Sequence, residues 1–129
     1  MNKQVLLVDD NAMVRKMLKS VICAAGYDIV EACDGLDGLT KAKNNSFDAF
    51  VIDYKMPVMN GTTLIKGLKE MAQYAALPMI LLTTDDGAEF ENKIAAIDNI
   101  DVLYKPVDQT RLLELLHQQT TEMANALSA

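Results

Sequence analysis

Val5-Leu6-Leu7-Val8-Asp9-Asp10-Asn11 decides the fold: four consecutive aliphatic residues stop abruptly on two carboxylates and an amide. An aliphatic run without polar alternation fits a strand covered on both faces, as in a parallel sheet between two layers of helices. Asn11 offers a helix cap, and Val14, Met17, Leu18, Val21, Ile22 and Ala25 follow at the i, i+3, i+4, i+7 spacing of one helical face. Gly26 suits the end of that helix.

The same alternation continues outward to the end of the chain, with no linker or low-complexity stretch. Ile29 to Ala32 predicts a second strand, and Leu36, Leu39 and Ala42 mark one face of a second helix that fades at Asn44-Asn45. Phe47 to Ile52 predicts the third strand, with Asp53 at its far end. The turn-rich stretch Tyr54-Lys55-Met56-Pro57-Val58-Met59-Asn60-Gly61 leads to a third helix with Leu64, Ile65, Leu68 and Met71 on one face. Met79 to Thr83 is the fourth strand, Thr84-Asp85-Asp86-Gly87 a loop, and Phe90, Ile94 and Ile97 outline a shorter fourth helix. Ile100 to Tyr104 is the fifth strand, stopped by Lys105-Pro106. Asp108 caps the last helix, with Val107 and Leu112 spaced as a hydrophobic staple. Five strands alternating with five helices predict an α/β domain with one doubly wound parallel sheet and right-handed crossovers. Residues 1–121 are expected to form that domain and 122–129 a frayed C-terminal tail.

The chain has 129 residues, half of them hydrophobic, enough for one domain with a real core and too few for a second. Eighteen acidic against twelve basic residues give a formal net charge of −6, which disfavours nucleic acid and anionic lipid. No apolar run approaches the ~20 residues of a membrane span, and the start lacks the features of a signal peptide. The expectation is a soluble, cytoplasmic protein. Cys23 and Cys33 are too few for a disulfide framework and read as reduced and structural. The eight methionines read mostly as core filler, and His117 as a surface or packing residue.

Twelve of the acidic residues are Asp, so their placement matters. In open α/β sheets ligands bind outside the carboxyl ends of the strands, and those positions here are Asp9 and Asp10, Asp53, Thr83 and Lys105. Singly, each has a plain structural role: an Asp after a strand caps a helix, a Thr ends a strand, a Lys before Pro is solvated. Five such placements on one edge point instead to one site. Two like charges 4 Å apart repel by about 4 kcal/mol at an effective dielectric of about 20, so the carboxylates need a cation. Lys105 supplies part; an all-oxygen donor set without histidine suits Mg²⁺, with Mn²⁺ as its substitute, rather than zinc. A hard metal beside an ammonium and a hydroxyl can hold the oxygens of a phosphoryl group in transfer, and Asp53 is the natural nucleophile.

Over nearly its whole length the chain resembles the receiver domain of bacterial two-component response regulators. The resemblance rests on Val8-Asp9-Asp10, on Asp53 followed by Met56-Pro57-Val58-Met59-Asn60-Gly61, on Thr83 and on Lys105-Pro106. It implies a flavodoxin-like sheet of order 2-1-3-4-5. It also implies that Asp53 accepts a phosphoryl group from a histidine kinase or histidine phosphotransfer protein. The resemblance makes Asp10 and Asp53 direct Mg²⁺ ligands, Asp9 a partly water-mediated one, and the Lys55 backbone carbonyl the remaining protein ligand. Lys105 and Thr83 would hold phosphoryl oxygens, the Lys105-Pro106 bond would be cis, and the protein would act as a self-modifying switch without separate substrate turnover.

Three positions depart from the family's pattern. Val102 stands where many receivers carry an aromatic residue coupled to the threonine, with Tyr104 on the same side of the strand. Thr84 replaces a common Ala or Gly and narrows solvent access. Lys55 and Asp85 border the path of attacking water and are expected to pair across the site, slowing loss of the phosphoryl group. Output is expected through a protein target at the fourth helix, fifth strand and fifth helix, centred on Phe90, Lys93, Val102, Tyr104 and parts of 111–118. Arg15, Lys16 and Lys19 read as a solvated face of the first helix, although that region docks the kinase in related proteins. Competing readings are a haloacid-dehalogenase-like phosphatase, which needs a second Asp two positions after the first-strand nucleophile, where Asn11 follows Asp9. A flavodoxin-like binder needs a Gly-rich phosphate loop where the chain has two carboxylates. A receiver-like binding module independent of phosphorylation would not need the full acidic set and Lys105.

Overall fold

The computed structural model describes residues 2–128, with side-chain surroundings for 2–121. The elements alternate as β1 (Gln4–Val8), α1 (Ala12–Ala24), β2 (Asp28–Ala32), α2 (Gly35–Asn44), β3 (Ala49–Asp53), α3 (Gly61–Lys69), β4 (Met79–Thr83), α4 (Ala88–Ala95), β5 (Ile100–Tyr104) and α5 (Gln109–Ser128). The five strands form one sheet of order β2-β1-β3-β4-β5, every neighbouring pair parallel. α5 continues through most of the segment expected as a tail, whose side chains lie outside the described residues. Among the described residues no helix is long and apolar enough to cross a membrane.

Successive side chains on a strand face opposite sides, and the uninterrupted aliphatic strands therefore feed two cores. Val5, Leu7, Val51, Ile80 and Leu82 pack against Leu18 and Ile22 of α1 and Leu112, Leu115 and Leu116 of α5. Leu6, Val8, Phe50, Ile52, Met79 and Leu81 pack on the other face against Ala42 of α2, Leu64, Ile65 and Leu68 of α3, and Phe90. The short turns are built by caps: Asn11 Oδ1 accepts from the amides of Met13 and Val14, Asp34 from Asp37, Asn60 from Thr63, and Asp108 from Arg111. Each of these caps begins a helix that follows the carboxyl end of a strand.

Several expectations need correction. Leu36 is 60% exposed, because α2 presents Gly35 and Gly38 inward instead. A Cβ on Gly35 would stand 2.6 Å from Met59 Sδ, and one on Gly38 3.2 Å from Val8, so the loop after β3 packs where the leucine was expected. Phe47 is buried but lies before β3, which starts at Ala49. Met71 and Ile97 pack on the core from just beyond the ends of α3 and α4. Cys23 and Cys33 are free, as expected, but both are exposed, so neither fills the core.

Candidate functional site

β1, β3 and β4 end side by side, and the residues just after β1, the last residues of β3 and β4 and the first after β5 converge. Asp9, Asp10 and Asp53 each bring a carboxylate oxygen to within 4.8 Å of the others. Asp9 and Asp53 are 1% and 4% exposed, whereas Asp10 is exposed. Lys105 Nζ lies 2.7 Å from Asp53 Oδ1 and 3.9 Å from Asp9 Oδ2. The peptide bond Lys105-Pro106 is cis, as the resemblance implied.

One ammonium faces three carboxylates. Burial raises the Asp53 pKa, against the hydrogen bond and charge of Lys105, and Asp10 pushes it further up. Burial also raises that of Asp9; the Asn11 amide opposes this, Asp53 adds to it and Lys105 subtracts. Asp9 Oδ1 accepts from the Asn11 amide at 2.9 Å, but its buried Oδ2 has no hydrogen-bond partner. A buried carboxylate oxygen left so is costly. An all-oxygen cluster of three carboxylates, offset by one ammonium and with one orphaned acceptor, fits a hard divalent cation, so the residues present suit Mg²⁺.

Thr83 closes β4 at 2% exposure. Its Oγ1 accepts from the Asp85 amide at 2.8 Å, and its carbonyl accepts from the Lys105 amide at 2.8 Å, tying the loop after β4 to the residue that pairs with Asp53. With its acceptor side used, the hydroxyl proton remains to be given to an incoming oxygen. The Asp53 backbone is held as closely: Tyr54 N–H donates to Leu82 O and Gly61 N–H to Tyr54 O. A Cβ on Gly61 would fall 2.5 Å from Asp53 O, which is why the turn ends on glycine.

A neighbouring cavity of about 490 Å³ is lined by Tyr54, Lys55, Met56, Thr84, Asp85 and Phe90, among others. Lys55, which is exposed, and Asp85 thus share its walls, but the expected pairing is not made: no ion pair within 4.0 Å joins them. Thr84 is exposed on the same rim. Phe90, expected on the output surface, is 2% exposed and cannot touch a partner directly. It stacks edge-on against Tyr54 with centroids 4.8 Å apart. Val102 is half-buried against the same core, and Tyr104 is 47% exposed.

Sequence reasoning missed what four residues do here. Tyr54 accepts from Lys93 Nζ at 3.2 Å and so links the end of β3 to α4. Of the basic residues expected as a solvated face, Lys16 and Lys19 are exposed, but Arg15 is only 18% exposed, and both Arg15 and Lys19 reach Glu31 on β2. Gly61 could have been found from its place at the end of the β3–α3 turn.

The response regulator receiver domain family matches residues 5–117. The chain is 33% identical over 119 residues to the chemotaxis protein CheY of Thermotoga maritima, covering 92% of this chain and 98% of that protein. It spans only 10% and 37% of two longer Myxococcus xanthus relatives, a gliding motility regulatory protein and a protein-glutamate methylesterase/protein-glutamine glutaminase. The solved structure of Vibrio cholerae CheY4 superposes with a TM-score of 0.85 at 33% identity, covering 92% of this chain and 99% of that one. With the parallel sheet, the acidic cluster and the lysine all in the places the family requires, the chain belongs to the receiver domains of response regulators, the phosphoacceptor modules of two-component signalling.

Proposed function

We propose that Asp53 is the phosphoacceptor. One of its oxygens attacks the phosphorus of a phosphohistidine on a histidine kinase or histidine phosphotransfer protein. The P–N bond breaks, an acyl phosphate forms, and the imidazole leaves with its electron pair. The observation that carries this reading is the Asp53 carboxylate at the end of β3, within 4.8 Å of Asp9 and Asp10 and 2.7 Å from Lys105. Asp9, Asp10, Asp53 and the Lys55 backbone carbonyl would hold Mg²⁺, or Mn²⁺ with the same preference for oxygen; bound there, the ion neutralises charge on the phosphoryl oxygens. Lys105 pairs with one of those oxygens, exchanging part of its bond to Asp53. Thr83 donates its hydroxyl proton to another, and the loop that its Oγ1 holds through the Asp85 amide follows it.

The product is a modified protein rather than a released substrate, and water later removes the phosphoryl group. Lys55, Thr84 and Asp85 border that water's path and slow the removal, without needing the Lys55–Asp85 pair. The receiver unit is residues 1–121, acting in the cytoplasm. The altered loop is read by a protein target at the face of α4, β5 and α5, where Tyr104 and Val102 offer contact and Phe90 acts from beneath by its packing on Tyr54.

Incubation with MgCl₂ and acetyl phosphate or phosphoramidate, followed by intact mass measurement, tests the proposal. One added phosphoryl group is expected on the wild type, lost in Asp53→Ala and in EDTA and reduced in Lys105→Ala and Thr83→Ala. A wild type that takes up no phosphoryl group under these conditions sinks it.

A further inference from the structure

The turn that carries Asp9 and Asp10 is held from outside by a residue of α1. Arg15 sits where helical spacing predicts a solvated basic face, yet its side chain is only 18% exposed. Its Nη1 donates to the Asp9 carbonyl at 2.6 Å. Its Nε lies 3.5 Å from Glu31 Oε1, and Lys19 Nζ meets the other oxygen of Glu31 at 3.3 Å. On its other side the Asp9 amide donates to Ala32 O at 3.2 Å. Asp9 is therefore held at its amide by the backbone of β2 and at its carbonyl by Arg15, whose Nε meets Glu31 of β2 through charge without a hydrogen bond.

The Asp9 carbonyl belongs to the planar peptide unit that leads into Asp10, so its direction sets where the Asp10 Cα stands. Asp10 is exposed, and its side chain makes no hydrogen bond or ion pair among the described residues. Only its backbone orients it. We propose that Arg15 is a positioning residue for the divalent ion: it fixes the turn that presents Asp9 and Asp10, and Glu31 in turn fixes Arg15. The guanidinium bonds a carbonyl rather than a carboxylate of the cluster, so its role is geometric. This rests on the reading of the three aspartates as the metal site. Partners in the shell around a metal's ligands typically govern about 10–100-fold of its affinity.

Calorimetric titration of Mg²⁺ into the unphosphorylated wild type, Arg15→Met, Arg15→Lys and Glu31→Ala tests the proposal, with melting temperatures of each in EDTA. Arg15→Met keeps the aliphatic stem and removes the donors; it is expected to weaken Mg²⁺ about tenfold. Arg15→Lys restores one donor and should recover part of that loss. Glu31→Ala frees Arg15 and should weaken Mg²⁺ less than Arg15→Met does. At saturating Mg²⁺ the extent of labelling by acetyl phosphate should return toward wild type in all three. A folded Arg15→Met with wild-type Mg²⁺ affinity and only a lower melting temperature overturns the role. If Arg15→Met does not fold, wild-type affinity in both Arg15→Lys and Glu31→Ala overturns it equally. A wild type that binds no Mg²⁺ overturns the metal site itself, and the role of Arg15 with it, whereas affinity unchanged by the variants overturns Arg15 alone.

Discussion

Asp9→Asn should make the metal-free protein more stable while removing most of its response to Mg²⁺. Asp9 stands at most 4.8 Å from Asp53 through their ligand oxygens and 3.9 Å from Lys105. At an effective dielectric of about 20 these distances correspond to at least about 3.5 kcal/mol of repulsion and about 4 kcal/mol of attraction, which nearly cancel. What remains is the cost of a buried charge whose Oδ2 has no hydrogen bond, together with repulsion from Asp10. An unmet buried acceptor costs about 1–3 kcal/mol, more when charged. The amide of Asn keeps the shape and can still accept from the Asn11 N–H, though that bond weakens by about 1 kcal/mol on losing its charge. The expected net gain is about 1–2 kcal/mol, or roughly 3–10 °C in melting temperature for a domain of this size.

The assay is thermal unfolding in EDTA and again in excess Mg²⁺, across pH. Because burial raises the Asp9 pKa in the fold, this carboxyl stabilises the fold below its unfolded value of 3.8 and loses that contribution as pH climbs through the folded value. In EDTA the advantage of Asp9→Asn is therefore greatest near neutral pH and closes as the pH falls toward about 4. Lower stability of Asp9→Asn in EDTA at neutral pH, or a Mg²⁺-induced rise equal to that of wild type, would refute the electrostatic reasoning.

Three further outcomes are expected. Gly61→Ala should lose about 2–3 kcal/mol, because its Cβ would fall 2.5 Å from Asp53 O and 2.9 Å from Tyr54 Cα; a urea midpoint close to wild type would contradict the close approach. Val58 is fully exposed at φ 68°, a left-handed conformation poor for a β-branched side chain, so Val58→Asn should raise stability by about 1 kcal/mol, read from the same denaturant curves. Lys55→Ala should hasten loss of the phosphoryl group from labelled protein, followed by intact mass with time. An unchanged decay rate removes Lys55 from the group that limits water.

Most of the fold lay in plain view because it depends on short-range pattern. The strands from Val5, Met79 and Ile100 are aliphatic runs with turn residues at each end, and Asn11, Asn60 and Asp108 are side chains whose reach ends within three residues. The strand-end cluster was legible for the same reason: once the sheet is parallel, its ligand edge follows. What could not be read depends on contacts between distant segments. Leu36 was placed inward because nothing local says that Met59 from another loop presses on Gly35. Phe90 was placed on the output surface through the family resemblance, although its spacing with Ile94 and Ile97 already marks it as apolar, and its cover by Tyr54 is a contact between distant segments. Arg15 looked solvated because a long, flexible cation follows no periodicity, and its partners, Asp9 O and Glu31, become neighbours only when β1 and β2 pair. The Lys55–Asp85 pair was inferred from proximity to one site, and residues on two walls of a cavity need not touch.

Reductive trapping tests the phosphoacceptor assignment most directly. Protein labelled with acetyl phosphate in Mg²⁺ is treated with borohydride, which reduces an acyl phosphate to the alcohol, and the digested peptides are sequenced by mass. Homoserine is expected at position 53 and unmodified aspartate at positions 9 and 10. Homoserine at either of those positions, or labelled protein with none at position 53, would contradict that assignment.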